Sequence, residues 1–219
     1  MAYRIVEVFM KGLALALALL TGPLPQAGKA APIDPGDLWA EGLQGDHGAT
    51  RDFYNTRGHL RWRRSMGDWL DAEGKPYGDA PFAESGPVND AKPQYISCDV
   101  TSMVRRWVDG TLPNKGFFLR CLSEGGPLKF RSREHADASQ HPQLIVDGRT
   151  LTAEADTFLE RSTYTGMGGK DSLTLSRENP VLLRFPLEGI AGPVKDAVLR
   201  LFVHARYGAS APARVFLCV

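Results

Sequence analysis

Between residues 94 and 122 the hydrophobic pattern changes period twice. Tyr95, Ser97 and Asp99 alternate with Ile96, Cys98 and Val100, the period of a half-buried strand. From Thr101 the spacing turns helical, with Val100, Val104 and Trp107 on one face and Arg105, Arg106 and Asp109 on the other. Thr101 or Ser102 supplies a capping hydroxyl for this short helix, and Gly110, free to take positive φ, ends it. Pro113, Asn114, Lys115 and Gly116 then turn the chain into residues 117–122, an apolar run of β propensity interrupted by Arg120. This pattern predicts a strand, a small helix at about 101–109, a turn and a second strand, with the helix laid over an open end of a β core.

Strand-like alternation recurs on both sides of this stretch. Residues 52–66 read as a strand in which Arg57, His59, Arg61 and Arg63 share one face, while Gly58, Leu60, Trp62 and Arg64 take the other and Trp62 points inward. Lys129, Arg131 and Arg133 alternate with Phe130 and Ser132 in a second basic row. Residues 69–89, rich in Gly, Pro and Asp, read as a long irregular loop. Residues 143–147 form a closing strand, and Asp147, Gly148 and Arg149 a turn. Short strands follow around 155–159, 172–175 and 182–185. In 194–203, Ala197, Leu199, Leu201 and Val203 oppose Val198, Arg200 and Phe202, and residues 214–219 make one more strand.

Composition favours the same class. The 23 glycines and 15 prolines sit mostly between short apolar runs, as an all-β fold with many turns requires. With 219 residues, 43% of them hydrophobic and 9% aromatic, the chain can bury one real core, whereas two complete sandwiches would be crowded. Lys and Arg number 26 against 25 Asp and Glu, a formal charge of +1, so nothing global points to nucleic acid and any electrostatic partner must be read locally. The apolar run 12–20, preceded by Lys11 and followed by Gly22, Pro23 and Pro25, is too short to span a bilayer and reads as an export signal ending near Ala30. Met10 begins a more ordinary leader than Met1, because Glu7 sits awkwardly in a basic segment. The expected location is therefore extracellular, with no membrane span.

Three cysteines leave two readings open. Cys98 and Cys121 flank the helix and are disulfide candidates if their strands are neighbours in an oxidising compartment. As an alternative each replaces a large apolar residue and stays a buried thiol. His135, Asp137 and His141 share one loop, yet their spacing matches no zinc pattern, and no Cys-x-x-Cys is present. Asp-rich loops suit structural calcium better, and no cofactor is required.

The residues Asp99, Val100, Thr101, Ser102, Val104, Trp107, Gly110, Gly116 and Phe117, followed by Phe130, Arg131, Ser132, Arg133 and Glu134, resemble the DNRLRE domain, which overlaps carbohydrate-binding module family 96. Trp39, Glu41 and Gly42, then Gly48, Ala49 and Thr50, fit the middle of that domain, and residues 155–185 resemble its opening strands. The resemblance implies a jelly-roll-like β-sandwich of secreted and surface proteins that binds polysaccharides, including acidic ones such as alginate. It also implies that Trp39 is a packing residue and that Ser132, Arg133 and Glu134 make structural hydrogen bonds. The order is inverted, the second half of the domain falling at about 34–147 and the first at about 155–219. Either the two segments complete one circularly permuted sandwich, or the tail of one module has been joined to the head of the next.

Three functions from different classes remain at this level. A non-catalytic carbohydrate-binding module would present Arg57, His59, Arg61, Arg63, Lys129, Arg131 and Arg133 to an acidic polysaccharide, with Trp69 or Tyr77 stacking on a sugar ring. A structural or adhesion spacer would carry the same charges as a solvated guard on edge strands. A polysaccharide lyase would need a base such as His135, His141 or Tyr95 beside a neutralising arginine, and no spacing ties these together. With no nucleophile, phosphate or metalloprotease motif in view, binding without catalysis is the expectation.

Overall fold

The computed structural model describes residues 48–86, 88, 92–122, 126–208 and 212–219. The expected export signal, and Trp39, Glu41 and Gly42, lie outside these residues. In chain order the elements are β1 (Phe53–Asn55), β2 (Leu60–Arg61), β3 (Trp69–Leu70), β4 (Ala83–Glu84), β5 (Gln94–Asp99), α1 (Thr101–Val108), β6 (Phe117–Arg120) and β7 (Leu128–Arg131). There follow a 3-10 turn (Ala138–Gln140), β8 (Gln143–Val146), β9 (Arg149–Thr152), β10 (Ala155–Phe158), β11 (Ser172–Leu175), β12 (Val181–Arg184), β13 (Ala197–Arg206) and β14 (Arg214–Cys218). The fold is an all-β sandwich with one short helix. Among the described residues no helix is long and apolar enough to cross a membrane.

Two six-stranded antiparallel sheets enclose the main core. The first runs β10-β12-β6-β14-β3, with β4 also on β14; the second runs β11-β7-β13-β8-β9, with β5 also on β13. Val203 pairs with both Gln94 and Phe130, and Val198 with both Asp99 and Ile145, so β5 lines one edge of β13 while β8 and β7 share the other. Alternation decides what each sheet buries. Phe117 and Leu119 of β6, Val181 and Leu183 of β12, and Val215 and Leu217 of β14 meet Cys98, Phe130, Leu144, Leu199 and Leu201 from the second sheet in one cluster. Full burial of each such side chain contributes about 1.5–3 kcal/mol. Strands from before and after Arg149 interleave in both sheets: β6 lies between β12 and β14, and β13 between β7 and β8.

The helix appears where the periodicity places it, but it begins differently. Val100 occupies the cap position and no side chain caps the helix. The Thr101 hydroxyl instead accepts from Ala197 N at 2.9 Å, tying the helix to β13, while Asp99 Oδ1 accepts from Thr101 N at 3.0 Å. Met103, Val104 and Trp107 are buried, with Trp107 4.7 Å from Phe117, and Gly110 leaves the helix at φ 76°.

Two other expectations need correction. Residues 52–66 are not one strand: Asn55 Oδ1 accepts from Gly58 N at 2.7 Å and His59 takes φ 53°, which folds the segment into the tight β1–β2 hairpin. The expected loop at 69–89 contains β3 and β4, both paired to β14. Of the two readings left open for Cys98 and Cys121, the structure has the buried thiols: all three cysteines are free and buried. Burial pushes the Cys98 thiol up to about 12, which makes it an apolar filler rather than a nucleophile.

Candidate functional site

The outer side of the first sheet is closed. Phe118, Leu182, Phe216 and Cys218 project outward and are covered by Ala49, Trp62 and Leu159 in a second apolar cluster. Trp62 points inward as expected and donates its Nε1–H to Thr50 O at 2.8 Å. Gly67 carries the chain over Phe118 so closely that a Cβ there would fall 2.5 Å from the ring.

Most sequence-selected residues of the first basic row sit on this cover, in two separate places. Arg57 and His59 belong to the hairpin turn, where His59 meets the Phe53 ring edge-on at 6.4 Å and Arg61 lies 4.5 Å over the same ring. Arg63 and Arg64 follow the hairpin, and their backbone N–H groups donate to Asp68. Trp69 and Tyr77 also lie here, but as packing residues. Trp69 stacks on Phe118 at 5.3 Å, meets Tyr77 at 5.1 Å and carries the Arg120 guanidinium at 4.1 Å, while Tyr77 donates to Asp68 Oδ1 at 2.6 Å. Their rings are engaged by protein, and the four residues of the row do not share a strand face.

On the second sheet no apolar cluster covers the outer side among the described residues, and that side carries a different array. Lys129 and Arg131 alternate with the buried Leu128 and Phe130 of β7, so they point away from the core. Arg200 and Phe202 do the same on β13, as does Tyr95 on β5. Phe202 meets Tyr95 edge-on at 5.1 Å, Arg200 lies 4.3 Å over the Tyr95 ring, and Tyr95 donates its hydroxyl hydrogen to Ser139 O of the 3-10 turn. Lys129 lies 5.5 Å from the ring of Tyr207, which is 52% exposed.

A bulge adds one more group to this face. Val203 pairs with Phe130 and Ala205 with Lys129, which leaves His204 as the extra residue of β13. Its Nε2 lies 2.7 Å from Ser172 Oγ on β11, so the imidazole reaches across β7 beside Lys129 and Arg131. Burial lowers its pKa, and the Arg131 and Lys129 charges lower it further. The Arg131 Nε–H is buried without a hydrogen-bond partner among the described residues.

The third member of the second row departs from it. Arg133 donates to Glu154 O, pairs with Glu134 at 3.4 Å and gives its backbone N–H to Asp156 Oδ2 at 2.6 Å. It belongs to a seam where the chain leaving β7 meets β10. Asp156 itself is buried there, its carboxyl pushed up to about 7 chiefly by desolvation. The neighbouring loop is tied internally: His141 Nε2 donates to His135 O at 2.7 Å, and Asp137 accepts from Ser139 N, Ser139 Oγ and Gln140 Nε2. Among the described residues no group of three or more His, Cys, Asp or Glu is placed to hold a metal ion.

An open cavity of about 460 Å³ lies elsewhere, lined by Arg105, Val108, Asp109, Gly192, Pro193 and Val194. Its charged groups serve the backbone: Arg105 donates to Val194 O and Lys195 O, and Asp109 accepts from Thr111 N. Arg200, Phe202 and His204 were the residues that sequence reasoning passed over as a site. Their period-two spacing was readable, but the long-range register that sets them beside Lys129 and Arg131 was not.

Residues 49–146 match the family model of the disaggregatase related repeat domain. This overturns the resemblance to the DNRLRE domain. The residues that carried that resemblance, from Asp99 to Phe117, build a strand, a capping helix and a strand, so they report architecture rather than that family. The matched stretch supplies β1 to β8, and the strands that complete both sheets come after it. No curated protein and no solved structure matches the chain.

Proposed function

We propose that the chain is a non-catalytic module that binds an acidic polysaccharide along the outer side of its second sheet. One observation carries this reading: Lys129, Arg131 and Arg200 stand on an open strand face, and none is paired with a carboxylate among the described residues. Neighbouring outward positions on β7 place Lys129 and Arg131 about 7 Å apart on one face, close enough to act together on an anionic group. Arginine supplies a planar fork for a carboxylate or sulfate, and Tyr207 and the Tyr95–Phe202 pair supply apolar area beside it. A formal charge of +1 lacks the basic excess that a nucleic-acid partner calls for.

The experiment is affinity electrophoresis through gels containing alginate, pectate or dextran sulfate, at low and moderate salt. Wild type is expected to be retarded, with the effect weakening as salt rises. The triple variant K129S/R131S/R200S is expected to migrate freely while its melting temperature stays close to wild type. Equal retardation of the triple variant removes this face as the site. A wild type that none of the three polymers retards is a structural module instead.

A further inference from the structure

Resting on that binding reading, we infer that Lys129, Arg131 and His204 form the seat for one carboxylate or sulfate of the polymer, with His204 as a proton-controlled third cation. His204 continues the outward positions 200 and 202 of β13, and at the bulge its Nε2 lies 2.7 Å from Ser172 Oγ of β11, on the far side of β7. Two fixed cations thereby flank a titratable one. The Arg131 Nε–H is buried with no partner among the described residues, so the protein leaves part of this guanidinium's hydrogen-bonding capacity unmet.

The groups that face His204 set the sign of the effect. Lys129 and Arg131 face it from β7, His135 from the loop after β7, Asp171 from the turn before β11, and Ser172 from β11 itself. Burial and the two fixed cations hold the free imidazole neutral at physiological pH, with Asp171 opposing them only in part. An anion seated among the three reverses that balance, because it favours the imidazolium. Binding therefore takes up a proton and strengthens as pH falls.

Dextran sulfate is the probe, since its sulfates stay ionised throughout. Its dissociation constant is measured by calorimetric titration of the whole chain at about pH 5.5 and about pH 7.5. Wild type is expected to bind about threefold to tenfold more tightly at the lower pH. H204N is expected to lose that dependence and keep the weaker, neutral-pH affinity. H204K is expected to bind at the higher pH as wild type does at the lower, and H135N is expected to keep the wild-type pH response. In parallel, the His204 imidazole resonance is titrated with and without dextran sulfate, and saturation is expected to raise its pKa. That arm decides the matter should either position 204 variant fail to fold. A wild-type pH response in H204N, or a His204 pKa unmoved by ligand, overturns this inference and leaves the binding face intact. Absence of binding at both pH values overturns the face and the inference together.

Discussion

Arg120, Arg184 and Arg214 stand on the outer side of the first sheet, each with a carboxylate beside it: Asp79 at 2.9 Å, Glu154 at 2.9 Å and Glu84 at 3.4 Å. Lys129, Arg131 and Arg200 stand on the outer side of the second sheet with no such partner among the described residues. The first sheet also carries an apolar layer outside it, built by Ala49, Trp62 and Leu159, whereas among the described residues the second carries the aromatic pair Tyr95 and Phe202 and the exposed Tyr207. A surface whose charges are neutralised and whose apolar groups are roofed has been finished as part of the fold. One whose cations are left over on a bare sheet is available to a ligand.

The sharpest way to break this comparison is to truncate one aromatic on each outer side. Phe118 is fully buried, stacked on Trp69 and pressed by Gly67, so Phe118→Ala is expected to cost about 3–5 kcal/mol in urea unfolding. Phe202 is half-buried on the open side, and Phe202→Ala is expected to cost well under half as much. Equal losses would mean that the second sheet is also roofed, and the open-face argument would fall.

The next largest effect lies at the seam. Asp156 points inward from β10 with its Oδ1 lacking a hydrogen-bond partner among the described residues, and its pKa rises to about 7. An unfolded aspartate titrates near 4, so its contribution to stability is fully present below that pH. As pH rises from about 4 to about 7 the unfolded chain ionises while the folded one resists, and stability falls across that window before levelling off. Asp156→Asn keeps an acceptor for Arg133 N and removes the ionisation. The variant is expected to flatten the pH profile and to melt about 4 °C or more above wild type at pH 8, with little difference at pH 4. A wild-type melting temperature that does not fall between pH 4 and pH 7 would contradict the assignment.

Legibility in the sequence followed the range of the interactions. The alternation of Ile96 with Ser97, the helical set Val104 and Trp107, and the two faces of β13 are local, and each element stands where its pattern places it. The first basic row failed because Asn55 and His59 impose a turn that overrides period two. Trp69 looked exposed among turn residues, yet it is held by Phe118, forty-nine positions away by number, and β14 supplies the strand it pairs with. Lys129 and Arg131 were legible as outward-facing, but Arg200 and His204 join them only through a register fixed between β7 and β13, and a bulge cannot be read from alternation alone.

The smallest expected effect tests whether neutralisation by itself silences the first sheet. Asp79 is 74% exposed and its pair with Arg120 is screened by solvent, so Asp79→Asn is expected to cost no more than about 0.5 kcal/mol. The same change frees a guanidinium on paper. Arg120 nevertheless stays over Trp69 at 4.1 Å and keeps Gly78 O as an acceptor at 3.4 Å, with Phe216 beneath it at 5.3 Å. Asp79→Asn in the K129S/R131S/R200S background is therefore expected to leave retardation by dextran sulfate absent. Recovery of binding there would show that charge pairing alone distinguishes the two sides, and that the aromatic packing around Arg120 contributes nothing to keeping the first one silent.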